Sequence, residues 1–317
     1  MLVPRLDMSK FLHGNAAERQ RFADRMGKAF REIGFATLVN HGISSKLIKS
    51  GYAAARELFA VPEKILKKYE TPKNGRQTGY TSLQVEHAKD QSKEQGDLKR
   101  HWNMRRPLPP GHPRRKSPAY VPNLWPTEEV PSFKPVAMKM FAALDSLSVA
   151  VLTALEMYLG YPRKKLVKMV RDGETLMRIL HYPPVKGKPK AVRSGAHEDI
   201  NLITLLIAGT EPGLEVKTRE GKWVAVKETP GSIVVSVADM LQMLTNWELP
   251  STTHRVVNPP KSVNVDRYSW PFFVHLKGDT TIHRTGYTAG EYLRRRLWEI
   301  GMLPLKKKPP PAPTRED

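Results

Sequence analysis

Within the 317-residue chain, His197-Glu198-Asp199 sets an imidazole and a carboxylate two positions apart. On a strand, residues i and i+2 point to one face, so His197 and Asp199 converge while Glu198 turns away. A second imidazole is available from His254, on another strand-forming run. Two imidazoles and one carboxylate on adjacent strands form a facial set that holds a divalent iron and leaves positions open for other ligands such as dioxygen. A lone H-x-D is common as a cap or an ion pair; here it gains weight from the motifs downstream. Arg267 and Ser269 share a face of RYSWPFF, a guanidinium and a hydroxyl placed to grip a carboxylate. Arg178, Leu180 and Tyr182 share a face of LMRILHYPP, and the Tyr182 phenol adds a donor. Arg178 reads either as a structural Arg paired with an acid at the pocket rim or as a contact to an anionic substrate. Asn201 and Phe273 complete the candidate substrate contacts.

These side chains need strands to aim them. After Val170 the apolar period becomes two, with β-rich runs at 176–182, 199–208, 214–216, 223–226, 231–236, 253–258 and 268–276, punctuated by Gly, Pro, Asp and Asn. Many short strands at this spacing predict a two-sheet jelly roll, mainly β with flanking helices. Phe22, Met26, Ala29, Phe30 and Ile33 fall at helical spacing over 16–33, and GFATLVNHGI then reads as a strand ended by Gly42. Ser44 or Ser45 caps a second helix that runs to about Ala60 and stops at Pro62. Between 71 and 133 the chain is rich in Pro, Gly and charge, and no element is legible. From Phe133 to Leu159, Val136, Met140, Leu144, Leu147, Val151, Leu155 and Tyr158 predict one long spine helix capped by Gly160. A last helix, 289–300, precedes LKKKPPPAPTRED, a tail expected to be disordered because it has nothing to bury. The expected organisation is an N-terminal region over 1–132, a catalytic β-helix with its helices over 133–303, and the tail over 304–317.

Composition narrows the chemistry. Without Cys there is no disulfide, iron–sulfur cluster or thiol nucleophile, so a metal must be held by nitrogen and oxygen. The 52 Lys and Arg against 31 Asp and Glu leave a net charge of +21, which would suit nucleic acid. Its basic runs, at Arg114 to Lys116, Lys186 to Lys190 and Lys306 to Lys308, lack a nucleic-acid-binding motif, so a solvated basic surface or the handling of small anions fits better. The N-terminus is too polar for a signal peptide, and no stretch of about 18 apolar residues is expected to span a membrane, which makes a cytoplasmic address the default.

Taken together, the motifs resemble the iron- and 2-oxoglutarate-dependent dioxygenase superfamily, in the branch of isopenicillin N synthase, aminocyclopropane-carboxylate oxidase and the plant gibberellin and flavonoid oxygenases. VPRLDMSKF, AFREIGFATLVNHGI and ELFAVPEKILKKY resemble its N-terminal region; RILHYPP, AHEDINLITLL, GSIVVSVADMLQMLTN, STTHRVVNP and RYSWPFFVHL resemble its catalytic half. The resemblance implies a double-stranded β-helix in which His197, Asp199 and His254 bind Fe(II), while Arg267, Ser269 and Tyr182 hold the distal carboxylate of 2-oxoglutarate. It further implies that dioxygen and 2-oxoglutarate are consumed, succinate is released, and a small molecule is oxidised, most simply by hydroxylation. Two features depart from the common pattern: Ala238-Asp239 stands where Gly-Asp is usual, and HEDINLIT is nearer the isopenicillin N synthase form. That enzyme uses no 2-oxoglutarate, so an oxidase is the alternative, with a basic nucleic-acid-binding protein behind it. The GDLKRHW stretch around Trp102 is similar to bacterial relatives, and a bacterial enzyme is expected.

Overall fold

The computed structural model describes residues 3–87, 96–116, 120–185, 187, 191–303 and 307–316. In chain order its strands are β1 (Arg5–Asp7), β2 (Phe35–Val39), β3 (Gly79–Thr81), β4 (Arg100–Arg105), β5 (Leu176–Tyr182) and β6 (Ser194–His197). They continue as β7 (Ile203–Ile207), β8 (Leu214–Lys217), β9 (Trp223–Ala225), β10 (Ile233–Val237), β11 (His254–Val256) and β12 (Arg267–Val274). The helices are α1 (Ser9–Leu12), α2 (Ala16–Ile33), α3 (Ser45–Ala60), α4 (Glu63–Leu66), α5 (Phe133–Tyr158), α6 (Lys165–Val170), α7 (Asp239–Leu244) and α8 (Ala289–Glu299). Eight strands form a major sheet in the order β1-β2-β10-β7-β12-β5-β4-β3, and four form a minor sheet, β6-β11-β8-β9. Together they make the expected jelly roll with flanking helices.

The strand period of two sorts the major sheet into an outer and an inner face. On β12, Tyr268, Trp270, Phe272 and Val274 turn outward into the main hydrophobic core, while Arg267, Ser269, Pro271 and Phe273 turn inward to line a cavity. β5 repeats the pattern, with Met177 and Ile179 outside and Arg178, Leu180 and Tyr182 inside. The outer face is covered by α3 and α5, and α2 packs on α5 in turn. α2 opens in a capping box between Asn15 and Glu18 and closes on Gly34 at φ 70°, and Ser44 caps α3 by accepting from the Leu47 amide at 3.2 Å.

Several expectations need correction. By length and composition α5 is apolar enough to cross a membrane, contrary to the sequence reading; its buried face packs on α2, α3 and β12. The strand expected over 199–208 begins at Ile203, because residues 198–202 carry the chain from the minor sheet to the major one. β2 ends at Val39, with Asn40 already left-handed at φ 52°, before Gly42. The 71–133 stretch contributes β3 and β4 at the edge of the major sheet. The tail does bury surface where it is described: Pro309 is buried, its carbonyl accepts from Arg295 at 2.6 Å, and Ala312 packs against the core. Residues 186 and 188–190 of one basic run, and 304–306 with 317 of the tail, lie outside the described residues.

Candidate active site

The crossover between the sheets builds the centre of the site. His197 closes β6 and His254 opens β11, and the two residues are direct partners across that strand pair. Asp199 lies just past β6, on the crossover. Its backbone carbonyl accepts from the Asp239 amide at 2.9 Å, and the Asn201 carbonyl accepts from the Met240 amide at 3.0 Å. The Asn201 side chain donates to the Ile203 carbonyl at 2.6 Å and to Thr204 at 3.2 Å, and accepts from Thr204 at 3.3 Å. That side chain thus fixes the crossover while still lining the cavity.

The donor atoms of His197, Asp199 and His254 all lie within 4.8 Å of one another. Each histidine has its Nδ1 against a backbone carbonyl, His197 on Gly195 at 2.7 Å and His254 on Thr252 at 3.1 Å. With Nδ1–H donating outward, both Nε2 lone pairs face Asp199 Oδ1, at 3.8 Å and 3.7 Å. Burial and the neighbouring His254 hold the His197 imidazole below its ordinary pKa, which keeps the neutral, ligating form. Glu198 stands outside this trio and accepts from the Thr253 hydroxyl. Two nitrogens and one oxygen at this separation fit a divalent iron.

The same cavity extends along β5 and β12. Arg267 pairs with Tyr182 across the strands and Ser269 with Leu180, so all four side chains face inward. The Arg267 guanidinium is 5.1 Å from the Tyr182 ring and 3.4 Å from Ser269 Oγ. Its Nε donates to the Glu211 carbonyl at 2.8 Å, and Nη2 meets the buried Glu228 carboxylate at 3.2 Å. Glu228 is in turn fixed by the Gly209 amide at 2.8 Å. A Cβ on Gly209 would stand 2.6 Å from Nη2, so a side chain at this position would displace the guanidinium from where it lies.

At the other end, Arg178 is not free. Its Nη1 meets Glu86 at 2.8 Å, its Nε donates to Asn103 at 2.9 Å, and its guanidinium lies 5.5 Å from the Phe273 ring. Lys99 is bound to Asp97 at 2.6 Å and to Glu86 at 3.2 Å. Burial disfavours a charged Glu86, yet Arg178 and Lys99 outweigh it and hold the carboxyl well below its usual range. Burial likewise opposes a charged Lys99, and Asp97 and Glu86 reverse the sign. The sequence reading missed Glu86, Asp97, Lys99 and Glu228. One signal pointed to them: a buried Arg requires a carboxylate nearby. A second opening beside His197 and Glu198 is walled by Asp239, Tyr292 and Arg296 and roofed by tail residues 312–315.

A jelly roll with a His-Asp-His trio on its crossover and an arginine deep in the same cavity defines a non-haem iron oxygenase. The comparisons with known proteins agree. Residues 3–128 match the family described as non-haem dioxygenase in morphine synthesis N-terminal, and 173–276 match the 2OG-Fe(II) oxygenase superfamily. A 2-oxoglutarate-Fe(II) type oxidoreductase of Aspergillus fumigatus is 30% identical over 277 residues, covering 85% of this chain and 81% of that protein. The crystal structure of a 2OG-Fe(II) oxygenase family protein from Caulobacter crescentus superposes with a TM-score of 0.82 at 38% identity, over 94% of this chain and 99% of that one. A full-length Neurospora crassa protein, solved in complex with alpha-KG and thymine, gives a TM-score of 0.81 at 26% identity, over 93% of this chain and 96% of that one. The chain belongs to the 2OG-Fe(II) oxygenase superfamily. It is a 2-oxoglutarate-dependent dioxygenase that takes Fe(II), 2-oxoglutarate and dioxygen and acts on a small molecule.

Proposed function

We propose that this dioxygenase hydroxylates an uncharged, planar, hydrogen-bonding small molecule. In this reading His197, Asp199 and His254 hold the iron, and Tyr182, Arg267 and Ser269 hold the distal carboxylate of 2-oxoglutarate. The bound iron and co-substrate supply the oxidising chemistry, one oxygen atom of dioxygen going to succinate and the other to product. The chain's own work is to orient both substrates and to exclude water behind Leu176, Leu180, Leu206 and Val234.

The observation that carries the substrate reading is the pairing of Arg178 with Glu86. An anion, as Arg178 suggested from sequence, would meet no unmatched cation there among the described residues, since Lys99 is matched as well. What this end offers is the hydrogen-bonding edge of Arg178 with Gln77 nearby, and the half-buried face of Phe273 for a ring to stack on. The thymine in the Neurospora structure is a compound of this kind.

The test is succinate release and oxygen uptake by the Fe(II)-loaded enzyme, with neutral heterocycles and phenols set against organic acids, amino acids and peptides. Neutral ring compounds are expected to stimulate turnover above the level with 2-oxoglutarate alone. Stimulation confined to carboxylate-bearing compounds would refute the substrate reading. Turnover without 2-oxoglutarate would favour the oxidase alternative.

A further inference from the structure

Arg193 is a second buried guanidinium beside the co-substrate end, and no sequence motif singles it out. It sits just before β6, is 1% exposed, and donates to the Val265 carbonyl at 2.5 Å, two residues ahead of Arg267. Its Nε is buried with no hydrogen-bond partner among the described residues. The group stands near enough to Arg267 for its charge to act on it; burial, then Arg267, lowers its pKa. Of the acids within its field, Glu211 is half-buried and Asp266 is exposed and engaged with His181 at 2.5 Å. A full buried charge held by one carbonyl is costly unless another charge balances it.

The charges of the loaded site supply that balance. Arg267 is neutralised by Glu228, which is fixed in the protein before any ligand arrives. Iron(II), Asp199 and a dianionic 2-oxoglutarate together carry one net negative charge. The Arg267–Glu228 pair leaves that charge uncompensated, and the Glu86, Asp97, Lys99 and Arg178 cluster is neutral in itself. Arg193 cancels it.

We propose that Arg193 is a positioning residue for the co-substrate, whose charge behind the Tyr182–Arg267 pair makes the site selective for a 2-oxo acid with a second carboxylate. It acts through the field at that end of the cavity and through the start of β12, without touching the ligand. The inference rests on the assignment of Arg267, Ser269 and Tyr182 to the distal carboxylate.

Anaerobic calorimetry on the Fe(II)-loaded protein tests it without turnover. 2-Oxoglutarate is compared with 2-oxobutanoate, which keeps the chelating end and lacks the distal carboxylate. Arg193→Gln retains a donor for Val265 and drops the charge; it should weaken 2-oxoglutarate about tenfold or more and leave 2-oxobutanoate within about twofold. Arg193→Lys, which restores the charge, should recover 2-oxoglutarate binding to within about threefold of wild type. Equal weakening of both ligands, or no effect of Arg193→Gln on 2-oxoglutarate, overturns the proposal. If the Gln variant does not fold, the Lys variant decides, and a loss of about tenfold there is the overturning result. Arg267→Leu run in parallel separates the two failures: if it leaves 2-oxoglutarate binding intact, the underlying assignment is at fault, not the role of Arg193 alone.

Discussion

At the Arg178 end of the cavity two cations face two carboxylates, Glu86 and Asp97, whereas at the Arg267 end the Glu228 carboxylate pairs with Arg267 and, among the described residues, none pairs with the buried guanidinium of Arg193. Both ends are buried and both are lined from β5 and β12. The difference lies in what is left over. A matched cluster offers direction without net charge and suits a neutral ligand, while an unmatched guanidinium calls for an anion. Counting arginines alone would have assigned an anion to both ends.

The largest effect should come from the centre that both ends share. Asp199→Ala or His254→Ala should abolish Fe(II) binding and turnover, and Glu198→Gln should keep the metal because Glu198 lies outside the trio. Metal analysis after reconstitution decides; comparable iron loss in the Glu198 variant would break the ligand assignment.

Next in size is the matched end. Glu86→Gln leaves Arg178 and Lys99 short of a carboxylate, and breaking a buried pair this way costs about 3–5 kcal/mol of stability. Urea denaturation measures that loss. The comparison is sharpened if the variant, unlike wild type, now binds small carboxylates; if wild type binds them equally well, the two ends do not differ as described.

At the unmatched end, Arg267→Leu removes a charge-assisted contact worth about 1.5–3 kcal/mol, so 2-oxoglutarate should bind roughly tenfold to a hundredfold more weakly. Iron should stay bound. Calorimetry with unchanged affinity would place the distal carboxylate elsewhere.

The remaining test, of stability and not of binding, concerns His181, on the outer face behind these ends, between Phe59 and Tyr268. Burial pushes its pKa down to about 4, with Asp266 opposing and Arg100 assisting. Its folded pKa lies below the unfolded value of about 6.5, so the neutral ring is favoured in the native state. Its contribution is fully present above about pH 6.5 and is lost as pH falls towards about 4, at about 1.4 kcal/mol per pH unit. The stability difference between wild type and His181→Gln should follow that slope, and a pH-independent difference would remove the titration from the account.

How much of this was legible depended on which side of a sheet a residue faces. Helices α2, α3 and α5 and most catalytic strands announce themselves because one face is apolar and buried against a neighbour. β4 does not, since its inward residues are the buried polar His101 and Asn103, facing a polar cluster where the pattern expects hydrocarbon. β6 reads Ser-Gly-Ala-His, with no β-branched residue, and is held as a strand by its pairing with β11. The Tyr182, Arg267 and Ser269 group was readable because same-face arithmetic survives small errors in strand boundaries, whereas Asp199, past the end of β6, was singled out by its spacing from His197 and the motifs downstream. Their partners were not. Glu86, Glu228 and Arg193 lie in connections between strands, where no period says which way a side chain points.

The crossover from His197 to Ile203 gives the metal a second meaning. His197 on β6, His254 on β11 and Asp199 between the sheets would hold the iron, which would then join two strands to the loop that links the halves of the roll. Only the folded chain presents that set, so binding and folding are one equilibrium seen from two sides. Free iron at a hundred times its dissociation constant would add about 2.7 kcal/mol to the apparent stability. A melting temperature of this protein is therefore a joint property of chain and metal buffer, and chelation should loosen the crossover before it unfolds the helices.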